Sequence, residues 1–209
     1  MTQFGGPKLV KKTYFKDEAK SKLIKGIEKI ADAVGSTLGA SGKTVILEDD
    51  FGGPHVTKDG VTVANSILLQ DPVENLAVSM MKQAAQNTAS VAGDGTTTSI
   101  VLTKAIIDSY FKLEGNKFSF RDIKSGINKL SSVVVDELTK RALQVDDKML
   151  HDVSIISANN DHDLGNLITQ AFLNAGDNGI VTMETSPTND TYIDSVEGTK
   201  IGSTSKSPH

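Results

Sequence analysis

The chain has 209 residues, no cysteine, no tryptophan and a formal net charge of -4. Without cysteine there are no disulfides, thiolate metal sites or cysteine nucleophile, and the mild acidity gives no reason to expect nucleic acid or an anionic membrane as partner. At 38% hydrophobic but only 5% aromatic, the core must rest on small aliphatic side chains in closely packed helices, and no run of about 18 apolar residues offers a membrane span, so a soluble cytoplasmic protein is expected.

The lysine-rich opening, from Lys8 to Lys29, is interleaved with Asp17, Glu18 and Glu28 and reads as a solvated helix face. Over residues 17–38, Leu23, Ile24, Ile27, Ile30, Ala31, Val34 and Leu38 keep a three-and-four spacing that predicts an amphipathic helix stopped by Gly39 and Gly42. Residues 44–48 and 55–57 flank the turn Phe51, Gly52, Gly53, Pro54 and predict a small hairpin. A short helical segment is expected after Gly60. Pro72 then opens a long helix with two apolar rows, Leu76, Met80 and Ala84 beside Ala77, Met81, Ala85 and Ala89, which predict a wide buried face. The next helix, residues 96–113, is apolar at Ile100, Leu102, Ala105, Ile106, Ile107, Tyr110 and Phe111, so burial nearly all round is expected.

Ser119 and Asp122 form a capping box before a helix reaching about Ala142. Beyond Val145 the elements shorten: a helix over 148–157, another over 163–175 closed by Gly176, a strand over 180–185 and a polar turn over 186–190. The fold class predicted is mainly α, a helical bundle with a small β-hairpin, followed by a small α/β module.

Between the third and fourth helices stands AGDGTTT, residues 92–98. Gly93 and Gly95 can take positive φ and admit a ligand to the backbone, while Thr96, Thr97 and Thr98 offer the unpaired amides of a helix start. Asp94 is placed to ligate a hard cation that neutralises phosphate charge. Taken alone, GDG also fits an ordinary helix cap.

The stretches TLGASGKTVILEDDFGGPHVTKDGVTVA (37–64) and ENLAVSMMKQAAQNTASVAGDGTTTSIVL (74–102), followed in order by SIISANND, GNLITQAF, NAGDNGIVTMET and DSVEG, resemble the first part of a group I chaperonin of the GroEL type, over roughly residues 14–200. The resemblance implies an equatorial-like ATP-binding domain over 1–142, an intermediate-like hinge module over 143–197 and the start of an apical-like domain over 198–209. It implies ATP and Mg²⁺, with K⁺ as a further cation. Thr37, Leu38, Gly39 and Ala40 would line the nucleotide, Ala40 standing where the family usually has proline. Lys58 would meet the phosphates, and Asp59 would be catalytic, near the attacking water or a second cation. Asp94 would hold Mg²⁺, and Gly95, Thr96, Thr97 and Thr98 would bind phosphate oxygens. An ATP-driven folding subunit in a homo- or hetero-oligomer is implied.

Where the family continues into its apical domain, this chain gives TKIGSTSKSPH. The returning halves of the intermediate and equatorial domains, including the family's water-activating aspartate, are not in this sequence. The expectation is a truncated subunit that takes unfolded clients or a co-chaperonin only if the apical part is supplied, and that is partly unfolded, self-associates or needs a complementary chain. The alternative is a non-catalytic half-subunit that joins another chaperonin chain or ring through the hairpin over 45–57. Other readings fail on spacing. GASGKT, residues 39–44, would need glycine at position 37 to be a P-loop, and Thr37 is there. Asn159, Asp161 and Asp163 alternate like an EF-hand, but Leu164 occupies its glycine position, and a helix cap explains Asp161 and Asp163 better than a metal. His55 and His151 are assigned no role.

Overall fold

The computed structural model describes residues 13–39, 41–48, 52–113, 118–176, 178–196 and 198. Among them are seven helices and one two-stranded sheet: α1 (Lys16–Gly35), β1 (Val45–Glu48), β2 (Pro54–Thr57), α2 (Gly60–Ser66), α3 (Pro72–Ala92), α4 (Thr96–Leu113), α5 (Phe120–Arg141), α6 (Asp147–Ser157) and α7 (His162–Ala175). The mainly helical class with one antiparallel hairpin is therefore as expected. The chain divides into two compact units, Met1–Ile127 and Asn128–His209, and α5 runs across the division.

In the first unit, α1 packs on α2, α3 and α4. Ile30 and Val34 of α1, Val63 of α2, Val78 of α3 and Ile100 of α4 are almost wholly buried in one core. Gly26 lets α1 approach α3: a Cβ there would overlap the Glu74 carbonyl oxygen and lie 2.9 Å from the Glu74 Cα. One helical turn to either side of Gly26, Lys22 Nζ reaches Asp71 Oδ2 at 2.5 Å and Lys29 Nζ reaches Glu74 Oε2 at 2.5 Å, so the closest crossing is flanked by charge pairs. Asp71 also caps α3, accepting from the amides of Val73 and Glu74, with Pro72 pre-set for the first turn. The hairpin pairs Val45 with Thr57 and Ile46 with Val56.

Three expectations are corrected here. The first helix ends at Gly35 rather than Leu38, because Thr37 and Leu38 turn tightly, their amides donating to the carbonyls of Val34 and Gly35 at 3.1 Å. In α3 the row of Ala77, Met81 and Ala85 is buried along with Val78, whereas Leu76 and Met80 are exposed, so the buried face is narrower than two rows. And α4 buries only Thr96 and Ile100; it packs on one side against α1, α2 and α3, while Leu102 and Ile106 remain about half exposed.

In the second unit, α6 and α7 form a helical hairpin. Asn159 and Asn160, both at positive φ, make the turn, and Asp161 caps α7 through the Leu164 amide at 3.0 Å. That is the capping role expected of Asp161, and no group of three potential metal ligands exists among the described residues. The expected strand over 180–185 is absent: no described segment pairs with it, and Ile180 and Met183 are exposed. β-branched composition alone does not make a strand when the backbone groups find no ladder. The polar turn after it is present, with Ser186 Oγ accepting from the Thr188 amide at 3.1 Å.

Candidate functional site

An open cleft of about 260 Å³ lies in the first unit where three separated segments meet: Thr37, Leu38 and Gly39 after α1; Lys58, Asp59 and Gly60 at the β2 to α2 junction; and Asp94, Gly95, Thr97 and Thr98 where α3 hands over to α4. The glycines explain the close approach. Gly93 ends α3 in the left-handed region at φ 75°, its amide donating to the Ala89 carbonyl at 2.8 Å, and Gly95 follows at φ 91°. The chain thus reverses within three residues and starts α4 against the cleft.

Gly95 stands in the capping position of α4 but has no side chain to accept a hydrogen bond. The amides of Thr96, Thr97 and Thr98 have no acceptor among the described residues, whereas Ser99 is the first to close a helical bond, to Gly95 O at 2.8 Å. Thr96 is buried, 5% exposed, and its Oγ1 has no hydrogen-bond partner among the described residues. A helix start with three open amides and an orphaned hydroxyl favours an anion.

Two carboxylates face this donor set. Asp94 is exposed, and its Oδ1 accepts from the Gly95 amide at 2.5 Å, leaving Oδ2 without a partner among the described residues. Asp59 caps α2 with both oxygens: Oδ1 accepts from the Val61 amide at 3.2 Å, and Oδ2 from the Thr62 amide at 2.8 Å and the Thr62 hydroxyl at 2.6 Å. Burial pushes the Asp59 carboxyl up, but these hydrogen bonds, led by the Thr62 hydroxyl, outweigh it and hold the group below its ordinary value. Lys58 has no salt bridge with a described residue. The cleft therefore combines amide, hydroxyl and ammonium donors with two carboxylates, the chemistry that suits a phosphate bound together with a hard cation.

Of the residues expected at the site, Thr37, Leu38, Gly39, Lys58, Asp59, Asp94, Gly95, Thr97 and Thr98 line the cleft together. Thr96 sits buried behind them, and Ala40 lies outside the described residues. Gly60 is a lining residue that sequence reasoning missed. A Cβ there would overlap Thr97 Oγ1 and lie 3.2 Å from Thr37 Oγ1, so the cleft floor requires glycine. The signal was available: glycine at the first position of a helix is a poor helix former and often marks a close approach. His151, for which no partner was foreseen, has its Nε2 2.7 Å from Asn166 Oδ1 in the second unit.

A helical layer with one hairpin thus surrounds a polar cleft that opens at a helix start. The model of the TCP-1/cpn60 chaperonin family matches residues 30–207. The chain is 40% identical over 204 residues to Chaperonin GroEL 1 of Rhodopirellula baltica, covering 96% of this chain and 36% of that one. Among solved structures it is similar to the chaperonin gp146 from bacteriophage EL 2 (Pseudomonas aeruginosa), crystallised in the presence of ATP-BeFx, with a TM-score of 0.64 and 31% identity over 76% of this chain and 28% of that one. It is also similar to a group III chaperonin in the open state, with a TM-score of 0.60 and 25% identity over 74% of this chain and 31% of that one. The chain belongs to the TCP-1/cpn60 chaperonin family. It spans about a third of the length of these relatives.

Proposed function

We propose that the cleft binds the polyphosphate of ATP with Mg²⁺, and that the chain serves as an ATP-dependent folding subunit of the chaperonin type. The observation that supports this reading most is the meeting of three distant segments around the open amides of Thr96, Thr97 and Thr98. Those amides, the hydroxyls of Thr97 and Thr98 and the Lys58 ammonium bind and orient phosphate oxygens. Asp94, with one oxygen unengaged, holds Mg²⁺, which when bound supplies charge neutralisation at the phosphates. Asp59 is a fixed negative charge and not a proton acceptor, because its lowered pKa and its three hydrogen bonds make it a weak base. In that state it orients water or holds a second cation such as K⁺ beside the phosphates. Assembly with like or companion subunits, unfolded proteins as clients and a cytoplasmic setting belong to the same reading; no described helix is long and apolar enough to cross a membrane.

The test is titration calorimetry and phosphate release with the 209-residue chain. Mg²⁺-dependent ATP binding that Asp94→Ala abolishes supports the reading, whereas no binding by the wild type at millimolar ATP overturns it. A second reading, a non-catalytic half-subunit, draws on α5, which buries none of its residues and exposes Leu130, Val133 and Leu138. Nucleotide binding without turnover until a companion chaperonin chain is added would favour it.

A further inference from the structure

We propose that Lys82 is a positioning residue for the cleft: from α3 it clamps the far end of α2 and so fixes Asp59 relative to Asp94. The inference rests on the nucleotide reading of the cleft. α2 has seven residues, too few to be stable alone. Its first end is the Asp59 cap and Gly60, both lining the cleft. Its last end is where Lys82 acts, Nζ donating to Asn65 O at 2.9 Å and to Ile67 O at 2.8 Å. Asn65 lies in the last turn of α2 and Ile67 is its C-cap, and neither carbonyl accepts a hydrogen bond from an α2 amide, so an ammonium donor is a fitting cap.

The connectivity makes the clamp matter. α2 packs on α1, α4 and β1, and the Lys82 side chain ties it to α3 as well. α3 is the helix whose C-terminal Gly93 presents Asp94. Lys82 thus closes a mechanical path from Asp59 along α2, across to α3 and along α3 to Asp94. A second tie, the Leu69 amide donating to Asn75 Oδ1 at 3.0 Å, anchors the connecting loop but not the helix itself. Lys82 forms no salt bridge with a described residue, and burial lowers its pKa, so the ammonium is held for these two carbonyls without a carboxylate to compensate.

The experiment compares wild type, Lys82→Met and Lys82→Arg as full chains, by amide hydrogen exchange over residues 61–67 and by calorimetry with Mg²⁺·ADP. Expected for Lys82→Met are exchange over 61–67 faster by about tenfold, exchange in α1 and α3 unchanged, and Mg²⁺·ADP affinity lower by about tenfold, since two hydrogen bonds donated by an ammonium are lost. Lys82→Arg, which can still reach both carbonyls, recovers most of both. Should Lys82→Met lose its helical circular dichroism, Lys82→Gln, which keeps a donor but not the charge, replaces it. Unchanged exchange over 61–67, or faster exchange with unchanged affinity, overturns the inference. A wild type that binds no Mg²⁺·ADP overturns the nucleotide reading and the positioning role with it, and the wild-type titration alone reveals that case.

Discussion

Gly60 lies so close to Thr97 that a Cβ on residue 60 would overlap the Thr97 hydroxyl oxygen and stand 3.2 Å from the Thr97 Cβ. The first residue of α2 and the first turn of α4 therefore touch through a glycine and a β-branched side chain, the least adjustable pairing for an added methyl group. In Gly60→Ala, Thr97 must leave its rotamer and turn its hydroxyl away from the cleft. Overpacking of this kind costs about 1–3 kcal/mol, and the expected outcome is a melting temperature several degrees lower with Mg²⁺·ATP binding weakened by about tenfold. A double-mutant cycle with Thr97→Ala separates the two effects. Stability should recover in the double variant while binding does not, and a strictly additive cycle would contradict the contact.

Gly26 presents the opposite situation, because the group its Cβ would meet is backbone. The Glu74 carbonyl cannot rotate out of the way, so Gly26→Ala must push α1 from the start of α3 and stretch the Lys22 to Asp71 and Lys29 to Glu74 pairs beside it. Alanine in place of glycine gains about 1 kcal/mol of helix propensity. Displacing two packed helices outweighs that gain, and a net loss of about 2 kcal/mol is expected. Thermal melting followed by circular dichroism checks it; an unchanged or raised melting temperature would show that the helices cross with room to spare.

How far the sequence carries the fold depends on whether the cause is local. Pro72 at the start of α3, Gly93 after it and the Ser119 to Asp122 capping box are local chemistry, and each boundary they predict is present, the box with Ser119 Oγ accepting from the Asp122 amide at 3.2 Å. The cleft was legible for a different reason: TLGA, TKDG and GDGTTT were joined by a resemblance to one family, while nothing in their spacing says that residues 37, 59 and 94 meet. What stayed hidden was tertiary. Lys82 carries no local signal because its acceptors lie 15 and 17 residues back along the chain. The narrow face of α3 and the half-exposed Leu102 and Ile106 of α4 show that apolar periodicity reports what a helix can bury, not what is packed against it. Residues 180–185 make the same point for strands.

Stability should depend on pH through the Lys22 to Asp71 pair. The Lys22 hydrogen bond, aided by the amides of Glu74 and Val73 and opposed by burial, holds the Asp71 carboxyl down to about 2 from 3.8. The folded state then binds fewer protons than the unfolded one between these values, so the contribution is fully present above the ordinary carboxylate value and disappears as pH falls toward about 2. Lys22 is raised by the same hydrogen bond, so its side of the pair persists below 10.5 and fades only as pH climbs through the raised value. The difference in melting temperature between wild type and Lys22→Met should accordingly be largest from pH 5 to 9 and shrink toward pH 2. Calorimetric scans across that range decide it, and a difference independent of pH would assign the effect of Lys22 to packing against Tyr14, over whose ring its ammonium also lies at 4.7 Å.

α5 makes the most direct prediction about assembly. Its capping box and its last-turn Lys140 and Arg141 suit a stable helix, yet none of its residues is buried, and Leu130, Val134 and Leu138 lie four residues apart on one stripe with exposures of 64%, 48% and 61%. An apolar stripe of that length on an otherwise charged helix is a surface that lowers its free energy by finding another apolar surface. The 209-residue chain should therefore self-associate in a concentration-dependent way, read by light scattering coupled to size exclusion. Leu130→Glu with Leu138→Glu should shift it toward monomer without loss of helical signal, because neither side chain supports the core of the first unit. A wild-type chain that stays monomeric across a hundredfold range of concentration and melts reversibly would show that α5 tolerates water, and that nothing about this stripe calls for a partner.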